Sequence, residues 1–286
     1  MKRVLITGKD SYIGTHFRDY LKQFPNDYYV EELDVRDDSW KEFDFSKFDV
    51  VYHVAGLAHS TPDESQRELY YRVNTDLTYD IAKKAKDEGI KQFIFMSSII
   101  VYGSGTIGKD RVINSNTPLT PDNFYGDSKK QAEIKIKPLE DSNFKIVIVR
   151  PPMIYGPNSK GNYPLLAKFA KKTPVFPTLK NQRSMLYLGN LLEFIKIMID
   201  NEEKGIFLPQ NKEYVASVDL IKTIASLYNH KILFIGIFNP FIKLLKKQVY
   251  VNKVFGNLMI DQDISNYKIN YNKYSFEESI RITEGR

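Results

Sequence analysis

No cysteine occurs among the 286 residues, so disulfides and thiolate metal sites are excluded. Histidine is nearly as scarce: His16, His53, His59 and His230 are scattered, with no metal-ligand spacing. The longest apolar run covers only residues 232–238, far short of the ~20 residues that span a bilayer. The start Met1-Lys2-Arg3 is basic, but Thr7-Gly8-Lys9-Asp10 cuts the following apolar run too soon for a secretory signal, and a cytoplasmic location is expected. Internal repeats and low-complexity segments are absent. The charge is not of one dominant sign: 41 basic residues face 35 acidic ones, for a formal +6. The lysines are spread out with no basic-aromatic motif, which argues against nucleic acid as a partner. Phosphate-bearing small ligands suit the mild positive balance.

What is present begins at once. Residues 2–7 form a short β-branched apolar run, which reads as a buried parallel strand. Gly8-Lys9-Asp10-Ser11-Tyr12-Ile13-Gly14 follows, and a helical pattern starts near Tyr12 with Ile13, Phe17, Tyr20 and Leu21 on one side. Strand, glycine turn and helix bring a pyrophosphate onto backbone N–H groups at a positive helix end. The expected contacts are Gly8, Ser11, Tyr12, Ile13 and Gly14. A second strand over Tyr28–Leu33 ends at Asp34, about 20 residues past the glycine turn, where a carboxylate binds adenosine ribose hydroxyls. Arg36 is placed to meet a 2′-phosphate instead, so the cofactor is NAD or NADP. A third strand over 49–54 runs into Ala55-Gly56-Leu57, small enough at its start for close backbone approach. His53 reads as a packed strand histidine.

A fourth strand ends at Ser97-Ser98, and Tyr125-Gly126-Asp127-Ser128-Lys129 comes 27 positions after Ser98. Residues four apart on a helix share a face, so the Lys129 ammonium is expected beside the Tyr125 phenol. A neighbouring positive charge favours phenolate, which predicts a lowered phenol pKa. With a hydroxyl from Ser98, the group reads as a proton relay between alcohol and ketone. The same spacing at Tyr79 and Lys83 reads as an ordinary surface helix.

These pieces, with Asn74, Val101-Tyr102-Gly103, Thr117-Pro118, Arg150-Pro151-Pro152-x-x-Tyr155-Gly156-Pro157 and Arg183, run in an order that resembles the extended short-chain dehydrogenase/reductase family of nucleotide-sugar epimerases and dehydratases. The resemblance implies an α/β Rossmann-type doubly wound parallel sheet with a smaller C-terminal substrate-binding region. It implies Ser98, Tyr125 and Lys129 as the catalytic triad, Asn74 supporting a water or the lysine, and Pro152 beside the nicotinamide. It further implies Met153, Asn162 and Arg183 at the substrate, with Arg183 on a diphosphate, as suits a guanidinium fork. A homodimer through the Tyr125 helix is also implied.

Departures narrow the reading. Ile99 and Ile100 stand where the family's dehydratases carry acidic residues, so dehydration is not expected. Met153 replaces the asparagine common in the epimerases. Gly108-Lys109, Gly161-Asn162 and Asn181-Gln182-Arg183-Ser184 look like bacterial capsule and surface-polysaccharide enzymes that reduce the 4-keto group of a UDP-2-acetamido-2,6-dideoxy sugar. Two activities are therefore expected: such a 4-ketoreductase, or a UDP-sugar 4-epimerase using the same residues.

The expected division is residues 1–157 for dinucleotide binding and 158–286 mainly for substrate, with 186–210 returning to the sheet. Residues 238–254 mix Phe241, Leu244 and Leu245 with Lys243, Lys246 and Lys247, a pattern that suits contact with a membrane or partner but reads first as an amphipathic helix on the body.

Overall fold

The N-terminal apolar run forms β1 (Lys2–Thr7), hydrogen-bonded in parallel to β2 (Tyr28–Leu33) on one side and to β3 (Val50–His53) on the other. In this computed structural model, residues 1–58, 63–246 and 248–286 are described; His59 and Lys247 lie outside them. The sheet continues through β4 (Gln92–Met96), β5 (Lys145–Val149) and β6 (Gly205–Phe207), all parallel. Its spatial order is β6-β5-β4-β3-β1-β2, so chain direction across the sheet reverses at β1. This is a Rossmann-type doubly wound sheet, and ligands of such sheets bind at the carboxyl ends beside the reversal.

Burial on both faces explains why these strands read as unbroken apolar runs. Leu5, Val51, Phe93, Phe95, Ile146 and Ile148 pack with Ile81, Ala82 and Ala85 of α2 (Leu77–Asp87) and with Ala132 and Ile136 of α3 (Phe124–Ile136). Tyr52, on the alternate register, meets Phe17 of α1, the helix Tyr12–Leu21, edge-on at 5.1 Å.

The chain folds as two compact units. The first comprises Met1–Gly103, Leu119–Arg150 and Leu192–Leu208; the second comprises Ser104–Pro118, Pro151–Leu191 and Pro209–Arg286. The second is built on short parallel strand pairs, Met153–Tyr155 with Met185–Tyr187 and Val175–Pro177 with Leu233–Ile235. Its core gathers Tyr155, Tyr163, Leu166, Phe176, Ile221, Ile224 and Ile280.

One expectation is overturned here. The stretch 238–254 is not a single helix but two short ones, Asn239–Leu244 and Val249–Phe255. Phe241, Leu244 and Leu245 face outward, while Ile242 packs on the second unit's core. The apolar residues lie on a different face from the one the core needs, so amphipathicity alone misplaced them.

Candidate active site

The turn after β1 is shaped for close backbone approach. Gly8 has φ +114°, and a Cβ there would stand 2.8 Å from the Ala55 backbone nitrogen. Ser11 caps α1, its hydroxyl accepting from the Gly14 N–H at 3.2 Å. A Cβ on Gly14 would come within 2.6 Å of that hydroxyl and 3.0 Å of Ile6. Tyr12 and Ile13 then open the helix at the sheet's reversal, where the first N–H groups of a helix lack intrahelical acceptors. Gly8→Ala is expected to destabilise the chain by about 1–3 kcal/mol, because its positive φ strains any residue with a Cβ and the Ala55 backbone leaves that Cβ no room. Urea unfolding measures it.

At the end of β2, both oxygens of Asp34 accept from Arg36 Nε at 2.9 Å. These side-chain hydrogen bonds hold the exposed carboxyl down at about 2. The two side chains expected at the adenosine ribose end are thus paired with each other. His53 is fully buried, its Nδ1 2.7 Å from Thr7 Oγ1 and its Nε2 3.0 Å from Thr78 Oγ1. Burial, with the Lys129 charge adding, pushes it to about 3. It is a packed neutral histidine, as its strand position suggests.

The residues Ser98, Tyr125 and Lys129 come together at the carboxyl end of β4. Ser98 caps the turn Ile99–Tyr102, and α3 lies tightly against that turn. A Cβ on Gly126 would come within 2.7 Å of the Ile100 carbonyl, so only glycine lets the helix approach this closely. That approach brings the Tyr125 phenol close enough to Ser98 for the serine hydroxyl to favour its ionised form. Lys129, one turn on, is buried and donates to the Met96 carbonyl at 2.9 Å, with its Nζ 4.7 Å from the centre of the Phe95 ring.

The electrostatics reverse the expected sign at the phenol. Burial pushes Tyr125 up to about 12; the Ser98 hydrogen bond opposes this and Tyr70 adds to it. Burial pushes Lys129 down to about 8, against the pull of Glu133. Spacing on the helix put the ammonium on the correct face. It did not reveal that Nζ turns back to a strand carbonyl, or that desolvation dominates both groups.

Asn74 sits in a π-helical turn, Arg72–Asp76, a feature frequent at functional sites. Its amide accepts from Leu57 N at 2.8 Å and donates to Leu57 O at 3.1 Å and to Ser128 Oγ at 3.0 Å. A Cβ on Gly56 would stand 2.9 Å from Asn74 Oδ1 and 3.0 Å from Lys129 Nζ. Asn74 therefore ties the Ala55-Gly56-Leu57 loop to α3, and its protein partners are that loop and Ser128.

Glu133 is the residue the motifs did not reveal. Buried one turn beyond Lys129, it receives the Ser97 hydroxyl and forms an ion pair with Arg150, whose Nε donates at 3.0 Å. Arg150 Nη1 donates to Tyr102 Oη at 2.6 Å. The signal was available as the 125, 129, 133 spacing along one helical face. At the other copy of the spacing, exposed Lys83 pairs with Asp87, the surface arrangement expected.

Pro152, Met153, Asn162 and Arg183 all belong to the second unit. Pro152 is buried ahead of the strand that Met153 begins, and Asn162 opens the helix Asn162–Lys172. Arg183 donates to the Lys253 carbonyl, and burial pushes it down to about 10. Among the described residues no carboxylate pairs with it. No group of metal-ligating side chains occurs among the described residues, and no helix among them is long and apolar enough to cross a membrane.

A parallel sheet with glycines crowding its reversal point and a Ser-Tyr-Lys cluster two strands along defines a dinucleotide-dependent enzyme. Residues 4–208 match the NAD dependent epimerase/dehydratase family, and the chain belongs to it. It is 29% identical over 289 aligned positions to a UDP-glucose 4-epimerase of Vibrio cholerae, covering 91% of this chain and 87% of that protein. It is 33% identical to an N-acetyl-alpha-D-glucosaminyl-diphospho-ditrans,octacis-undecaprenol 4-epimerase of Escherichia coli O157:H7, over 71% of this chain and 64% of the relative. Among solved structures, a UDP-glucuronic acid 4-epimerase from Bacillus cereus in complex with NAD superposes with a TM-score of 0.76 at 17% identity, covering 99% of this chain and 97% of that one. A dTDP-4-dehydrorhamnose reductase from Bacillus anthracis in complex with NADP gives 0.72 at 20%, covering 99% of each chain. At such identities these two structures speak for the fold.

Proposed function

We propose that the chain is an NAD(P)-dependent 4-epimerase of UDP-linked sugars. The observation that carries this is the Tyr125 phenol close to the Ser98 hydroxyl and one turn from buried Lys129, at the carboxyl end of a strand in a Rossmann-type sheet. The alignment with the Vibrio cholerae UDP-glucose 4-epimerase over most of both chains supports it. The tight turn at Gly8 and the close packing at Gly14 suit a strand–turn–helix that presents backbone N–H groups to a pyrophosphate. Gly8, Ser11, Tyr12, Ile13 and Gly14 would hold that pyrophosphate, Asp34 or Arg36 the adenosine ribose end, and Lys129 the nicotinamide ribose. When bound, the nicotinamide supplies or takes the hydride at C4. Tyr125 would exchange the proton of the 4-oxygen, with Ser98 hydrogen-bonding the same atom. Arg183, a half-buried cation with no carboxylate partner among the described residues, suits the substrate diphosphate.

The second reading is a reductase of a UDP-2-acetamido-2,6-dideoxy-4-hexulose in surface-polysaccharide synthesis. A phenol held protonated up to about pH 12 favours it, because reduction begins with proton donation, whereas epimerisation begins with proton removal. Dehydration has no support, since Ile99 and Ile100 offer no acid or base.

Purified protein decides between them. Conversion of UDP-glucose or UDP-N-acetylglucosamine to its C4 epimer, without net change in absorbance of reduced nicotinamide, is expected of an epimerase. Stoichiometric loss of that absorbance with a UDP-4-keto sugar, and no epimer, would replace this reading with the reductase.

A further inference from the structure

Residues 220–260 contain six lysines and no aspartate, glutamate or arginine. With those six set aside from the 41 basic residues, 35 remain against 35 acidic ones, so the whole formal charge of +6 resides in this segment. The same segment exposes large apolar side chains. The turn Gly236–Phe238 presents Ile237 and Phe238 and leads into the helix Asn239–Leu244. There Phe241 is 66% exposed and Leu244 81%, with Leu245 beside them at the i, i+3, i+4 positions of one face. Lys243 and Lys246 are exposed at the edge of this patch. The backing is anchored: Ile242 packs into the second unit's core, and Asn239 Nδ2 donates to Thr178 Oγ1 at 3.2 Å.

A contiguous apolar patch rimmed by polar residues marks an interaction surface. Its chemistry selects the partner. In a two-fold contact with a second copy the same patch would lie on both sides, setting lysine against lysine with no acid in the segment to offset them. Apolar anchors flanked by cations match an anionic lipid surface, which accepts both at once. We infer that residues 237–246 form a peripheral docking surface for an anionic bilayer, with Phe241, Leu244 and Leu245 entering the headgroup boundary and Lys243 and Lys246 meeting anionic headgroups. This holds whichever reaction the enzyme performs.

Flotation of the full chain with vesicles of equal parts phosphatidylglycerol and phosphatidylcholine tests it, with pure phosphatidylcholine vesicles as reference. Binding to the anionic vesicles is expected to be at least about tenfold tighter, and to weaken as salt shortens the Debye length. Lys243→Gln with Lys246→Gln should weaken it roughly tenfold or more, since each lysine near the surface contributes separately. Phe241→Ser, Leu244→Ser and Leu245→Ser together should abolish it while leaving the thermal midpoint and nicotinamide binding unchanged. Should that triple variant fold poorly, the lysine pair decides alone. No binding to anionic vesicles, equal binding to both kinds, or binding unaffected by the variants would overturn the inference. So would light scattering that shows a dimer which the lysine variant strengthens, because a second copy would then cover the patch.

Discussion

Replacing Tyr125 with phenylalanine is expected to lower turnover by ~10²–10⁴ while nicotinamide binding stays close to that of the parent chain. The ring is retained, so its edge contact with Tyr70 at 6.0 Å survives. Only the hydroxyl is lost. Ser98→Ala should cost less, because a positioned hydrogen bond is removed rather than the proton carrier. The pH dependence follows from the groups themselves. With its phenol held up to about 12, Tyr125 remains a proton donor across the neutral range. Lys129, near 8, loses its charge as pH rises through that value, so the proton-donating direction should slow above about pH 8. Initial rates and a fluorescence titration of reduced nicotinamide check both points. A Tyr125→Phe enzyme with near-parental turnover would remove the mechanism.

The second large effect concerns stability. Glu133→Ala leaves the Arg150 guanidinium buried without its counter-charge, and the expected cost is about 3–5 kcal/mol. The pair Glu133→Leu with Arg150→Met should recover most of this, because an apolar pair of similar volume avoids desolvating two charges. Urea unfolding of the single and double variants provides the measurement. A single-variant cost below about 1 kcal/mol would show that the pair is not the anchor its burial indicates. Glu133 also opposes the downward shift of Lys129, so Glu133→Gln should move the alkaline limb of the rate profile to lower pH.

The legible parts of the site share a property: each depends on backbone geometry over a few residues. The glycine turn, the β-branched strands and the i, i+4 spacing of Tyr125 and Lys129 are local, and the structure places each where its pattern indicates. The less legible parts depend on distant partners. Asn74 meets Leu57 and Ser128, 17 and 54 positions away. Glu133 meets Arg150 from the next strand's end. The π-helical turn at Arg72–Asp76 has no glycine or proline to announce it. Amphipathic patterning likewise misled at Phe241, Leu244 and Leu245, because it records that a helix has an apolar face and not what covers that face.

From residue order alone came the alternating strand–helix plan, the glycine turn between β1 and α1 and the shared helical face of Tyr125 and Lys129, since periodicity and turn chemistry act within one or two elements. Tertiary structure alone decided their ionisation. How far water is excluded from a phenol or an ammonium depends on everything packed around it, and desolvation is the largest influence on both groups.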